Sequence, residues 1–155
     1  MQIIFKKRLT LGFNGCKLAP TLTKQRKQMA MRIEMKTLSR LTQYVDLVQR
    51  LADEYEEKVM KAVWKDRPIP DDVRHNDHRT KVDFTIGRRY ARVFQTYGIN
   101  TSVHSFVDIE NGDILKGDWK SPIRDKNGKL AVRGNIWADD IGESSINWCG
   151  PNYLR

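Results

Sequence analysis

Between positions 38 and 62 the apolar residues Leu38, Leu41, Val45, Val48, Ala52, Tyr55, Val59 and Ala62 follow alternating steps of three and four. That spacing lines side chains along one seam of a helix. Leu47, Leu51 and Val63 widen the seam, and Thr37 or Ser39 offers a cap at its start. The acids between Asp53 and Glu57 precede Lys58 and Lys61 at favourable spacing, and Arg67-Pro68 ends the run. A helix of about seven turns is predicted. Its seam has to be covered. Ala and Tyr within about four heptads make a weak free coiled coil, so packing against the chain's own sheet is favoured.

After Pro68-Ile69-Pro70-Asp71-Asp72, a rigid polar connector, the period changes from helical to alternating. Val82, Phe84 and Ile86 face one way while Lys81, Asp83 and Thr85 face the other, as in a half-buried strand. A second strand, Arg89 to Thr96, sets Tyr90, Arg92 and Phe94 against Ala91, Val93 and Gln95. A third, Ser102 to Ile109, sets Val103, Val107 and Ile109 against His104, Phe106 and Asp108. Asn111-Gly112 then marks a hairpin with two positive-φ residues, returning a fourth strand over Ile114 to Lys116. Asn127-Gly128 repeats the signal before a looser fifth strand near Leu130 to Arg133. The expected fold is α+β: an antiparallel β-meander of four to five strands packed against one long N-terminal α-helix, preceded by a basic irregular arm.

The chain's 155 residues suit one domain, and no stretch is apolar enough to span a membrane. Cys16 and Cys149 are far apart and outside any CxxC spacing, which points to a reduced, cytoplasmic setting without a disulfide framework or zinc site. The net charge of +9 is unevenly held. Residues 1–33 contain eight Lys/Arg and no acid, so residues 34–155 balance at +1. Residues 1–33 therefore read as a basic, disordered arm, or as a stretch upstream of the true start, given Met29, Met31 and Met35. Residues 34–155 read as the single α+β domain. Within it, two basic patches survive, at 74–92 and 116–133, each with six bases and two acids. On one side of a fold such patches can track a phosphate backbone.

The strongest functional candidate is the pairing of arginine with aromatic rings on a sheet, which resembles a base-stacking platform. Tyr90, Phe94 and Trp119 would stack, with His104 and Phe106 beside them, while Arg88, Arg89, Arg92, Lys116, Lys120 and Arg133 would meet phosphates. His75 and His78 lack a third placed metal ligand. Asp83, Asp108, Asp113 and Asp118 could form a Mg²⁺ site only if the strands gathered them. No P-loop, GxSxG or HExxH pattern occurs. No catalytic residue, metal or cofactor is expected. The tryptophans Trp64, Trp119, Trp137 and Trp148 fall at element ends or in an aperiodic tail expected to wrap the domain.

The stretch from Ser102-Val103-His104-Ser105-Phe106-Val107-Asp108 through Gly112-Asp113-Ile114-Leu115-Lys116, with Trp119-Lys120-Ser121-Pro122 and Arg133-Gly134-Asn135-Ile136, covers about a third of the chain. It resembles a pattern in small uncharacterised proteins of tailed bacteriophages, departing from it in an insertion around Arg124 to Leu130. The resemblance implies a phage-encoded accessory protein of the host cytoplasm or the virion, and no particular activity. The combined expectation is a non-catalytic nucleic-acid-binding protein with DNA or RNA as partner. The alternatives are a module binding a host or phage protein through the helix seam or Trp119, and a metal-dependent nuclease.

Overall fold

The computed structural model describes residues 20–65, 67–71 and 79–153, with side chains from residue 35 onward. Residues 1–19 of the arm, and His75, Asp77 and His78, lie outside the described residues. By its internal contacts the chain divides into two compact units, 1–33 and 34–155. The sheet and the core belong to the second.

Helix α1 runs from Pro20 to Trp64, so it begins well before the expected cap at Thr37 or Ser39, and residues 20–33 are helical rather than irregular. Proline suits a first helical position because its fixed φ is already helical and its missing N–H would have no partner there. Residues 22–36 are dominated by Leu, Lys, Gln, Arg, Met, Ala and Glu, all strong helix formers. Propensity extends the helix where no apolar period marks it.

The sheet has five antiparallel strands in the order β1-β2-β3-β4-β5. They are β1 (Lys81–Ile86), β2 (Tyr90–Tyr97), β3 (Asn100–Asp108), β4 (Asp113–Leu115) and β5 (Val132–Asn135). A short second sheet, β6 (Ile146–Asn147) with β7 (Gly150–Pro151), forms from the tail after one 3₁₀ turn, Glu143–Ser145. The seam of α1 supplies Leu41, Tyr44, Val45, Leu47 and Val48 to a core completed by Ala91, Val93, Val107, Ile114, Ile136 and Ile146. Val82 and Phe84 of β1 pack on its margin. The helix thus covers one face of the meander, as the apolar alternation of β1 and β2 requires. Past Ala52 the seam leaves the core: Tyr55 stacks on Trp148 at 3.8 Å, and Val59 and Val63 are exposed.

Two local features depart from simple alternation. Gly112 carries φ 77° and donates its N–H to Asp108 O at 2.7 Å, closing a turn longer than a two-residue hairpin, in which Asn111 keeps a negative φ. The Asp108 carboxylate organises that turn by accepting from the N–H groups of Glu110 and Asn111. In β3, Val93 pairs with Ser105 but Phe94 pairs with Val103, so His104 is an extra residue at a β-bulge. The bulge places His104 beside Ser105 in the interior and leaves Val103 opposite Phe94. The expected faces of β3 are therefore exchanged at this end.

Candidate nucleic-acid interface

The face of the sheet turned away from α1 is built by strand period alone. Ala91 and Val93 are buried in the core, so Tyr90, Arg92 and Phe94 project to the other side, half-buried. Cross-strand pairing adds Thr85 opposite Arg92 and Asp83 opposite Phe94 from β1, and Phe106 opposite Arg92 from β3. Residues 116–131 then leave β4 and fold back by way of the bridges Gly117–Pro122 and Arg124–Leu130. Gly117 lies so close to the Phe106 ring that a Cβ there would overlap it. Phe106 and Leu115 are buried, and Phe106 meets Tyr90 edge-on at 6.5 Å.

Trp119 stands at the tip of this excursion. Its turn is closed by the Asp118 N–H donating to Ser121 O at 2.9 Å, and the Asp118 carboxylate accepts the Trp119 N–H at 2.7 Å. The indole is 50% exposed and lies 5.6 Å from the Arg92 guanidinium, which also lies 5.9 Å from the Phe94 ring. Arg92 also donates to Trp119 O at 3.4 Å. Beside them Arg89 sits 5.2 Å over Tyr90 and pairs with the buried Asp108 at 3.2 Å, a hydrogen bond that holds its pKa above the ordinary value. Arg88 and Lys120 are exposed. Such guanidinium–ring contacts stabilise by about 0.5–1 kcal/mol at exposed sites. Their main effect is to hold flat groups in fixed positions.

Of the residues anticipated from sequence, Tyr90, Arg92, Phe94 and Trp119 come together, with Arg89 over Tyr90. Others do not. His104 is on the helix side of the sheet and Phe106 is sealed under the excursion, so neither ring is available for stacking. Arg133 is on β5, at the far edge of the sheet, and its Nε is buried without a hydrogen-bond partner. Lys116 Nζ lies 3.2 Å from the centre of the Tyr153 ring, a contact that the tail supplies and that strand alternation could not foretell. The four aspartates are engaged separately: Asp83 accepts from Phe84 N, Asp108 binds Arg89, Asp113 accepts from Asn135, and Asp118 holds Trp119. Among the described residues no group of three or more His, Cys, Asp or Glu side chains is placed to hold a metal ion, and no helix is long and apolar enough to cross a membrane.

A family profile matches residues 22–154, spanning most of α1, both sheets and the excursion. The chain belongs to the family of unknown function DUF7717. No curated protein and no solved structure matches it. The DUF7717 match covers most of the helix, the meander and the Trp119 excursion, and assigns them no task.

Proposed function

We propose that this DUF7717 chain is a phage-encoded accessory protein that binds nucleic acid without catalysing a reaction. The observation that carries the reading is the Arg92 guanidinium placed against both Phe94 and the half-exposed Trp119, on the sheet face that α1 leaves open. Rings and guanidinium planes stack on bases of any identity, while cations along the rim neutralise phosphates. Arg88, Arg89 and Lys120 supply that rim. Cytoplasmic or virion residence belongs to the same proposal, resting on the phage-like pattern between Ser102 and Ile136.

The test is fluorescence anisotropy of labelled oligonucleotides across a salt series. Each phosphate neutralised contributes roughly 0.7–0.9 to the slope of log affinity against log salt. The reading expects a steep slope, and it expects Arg92→Ala to weaken binding by about ten-fold. Binding that is absent at low salt, or unchanged in R92A, defeats it. A second reading, a module that binds a host or phage protein, is favoured by Val59 and Val63 at the end of α1, 40% and 56% exposed. A salt-insensitive protein complex abolished by Val63→Glu would support that reading instead.

A further inference from the structure

The open face also contains a concavity that surface stacking does not use. Between β2 and the excursion lies a cleft of about 400 Å³. It is lined by Tyr90, Pro122, Ile123 and Leu130 and by the polar residues Asp118, Ser121 and Arg124. We infer that this cleft admits one unpaired base of a single-stranded nucleic acid, with the neighbouring base stacked on Trp119. The inference rests on the nucleic-acid reading above and specifies the form of the ligand.

The cleft is half-open to solvent with a volume in the range of small-ligand sites, and its mixed lining suits a planar ring with polar edges. Asp118 offers its Oδ2 beside the oxygen that holds Trp119 N–H, Arg124 offers the guanidinium donors left over from its 2.7 Å bond to Gly128 O, and the Ser121 hydroxyl offers either role. A phosphate would meet the Asp118 carboxylate at close quarters, so a neutral base suits the cleft better, leaving phosphates to the exposed Arg88 and Lys120. The Asp118–Ser121 turn that bounds the cleft is also the turn that holds up Trp119. Cleft and stacking ring are adjacent on one hydrogen-bonded turn, as successive nucleotides require. In a duplex the faces of the bases are sealed by stacking and their edges by pairing, so neither surface could be used without opening the helix.

The experiment compares one labelled oligonucleotide, single-stranded and as a blunt duplex, on the full chain at fixed salt. The single strand is expected to bind about ten-fold more tightly. Ser121→Trp, which fills the cleft from an exposed position, is expected to remove about ten-fold from single-strand affinity and to leave the duplex unchanged. Asp118→Asn keeps the shape and the hold on Trp119 N–H, and is expected to reorder affinities among homopolymers of dA, dC and dT even if S121W should fold poorly. Equal affinity for both forms, or a homopolymer order unmoved by D118N, overturns the inference while salt-sensitive binding leaves the broader reading standing. Absence of binding to either form at low salt overturns both.

Discussion

Among the described residues, His104 and Tyr44 are the two titratable groups whose burial in the fold shifts them most. The His104 Nε2 lies 2.9 Å from Asn147 O, an atom that can only accept, so Nε2 carries the hydrogen. Nδ1, 3.0 Å from Ser105 Oγ, is then the acceptor in the neutral ring, and Ser105 in turn accepts from the Tyr44 hydroxyl at 2.9 Å. A directed chain of hydrogen bonds thus ties α1 through β3 to β6. Burial pushes the His104 pKa down to about 4 against an Asn147 contact that raises it, and burial pushes the Tyr44 phenol well above its ordinary range. Protonating Nδ1 would turn Ser105 from donor to acceptor there and leave one hydroxyl hydrogen of the Ser105–Tyr44 pair without an acceptor. Since the unfolded chain takes up the proton near the ordinary pH of about 6.5 and the folded chain only near pH 4, the stabilisation is complete above pH 6.5 and lost as pH falls through that window. The expected loss is about 3 kcal/mol, at roughly 1.4 kcal/mol per pKa unit. Urea unfolding at several pH values between these limits checks it. His104→Asn should flatten the dependence, and an equally steep loss in H104N would place its source elsewhere.

Among the elements, α1 illustrates both the strength and the limit of sequence pattern. The steps of three and four from Leu41 to Ala52 name buried residues of the seam, because burial selects one face, but they pass over Tyr44, which is wholly buried beside them. Leu41 is wholly buried, so Leu41→Ala should destabilise by about 3 kcal/mol through lost transfer energy and an unfilled cavity. Chemical denaturation measures this directly. The start of α1 at Pro20 has no such seam to announce it; propensity and a proline first turn are weak signals beside periodicity. The β3 bulge is weaker still, since one extra residue changes the face of His104 without any local composition to mark it. The tail hairpin β6–β7 is secured from outside itself: Trp148 stacks on Tyr55, and Gln95 donates to Trp148 O at 2.6 Å. Trp148→Ala should cost about 1–2 kcal/mol and raise hydrogen exchange in residues 146–151 before the meander. Uniform loss of protection would show instead that the hairpin unfolds only with the whole domain.

On the scale of the molecule, charge and architecture are carried by different parts of the chain. Nearly all of the net positive charge belongs to residues 1–33, whereas the buried core residues among those described belong to 34–155. A chain beginning at Met31 should therefore keep the near-UV circular dichroism of the full protein. Its nucleic-acid affinity should show a shallower salt slope that stays clearly above zero, because Arg88, Arg89, Arg92 and Lys120 remain. A slope falling to zero would assign the binding to the arm alone.

The α+β class, the order of the meander and most buried residues of the helix seam, Tyr44 excepted, were legible in the amino-acid order, because periods of 3.6 and 2 are imposed locally by backbone geometry. The same period put Tyr90, Arg92 and Phe94 on one side of β2, but left open which side α1 would cover. That choice, the return of Trp119 to Arg92, the cleft behind it and the burial of His104 and Phe106 depend on contacts between segments distant along the chain. Such contacts exist only once the chain has closed on itself, so only the tertiary structure decided them.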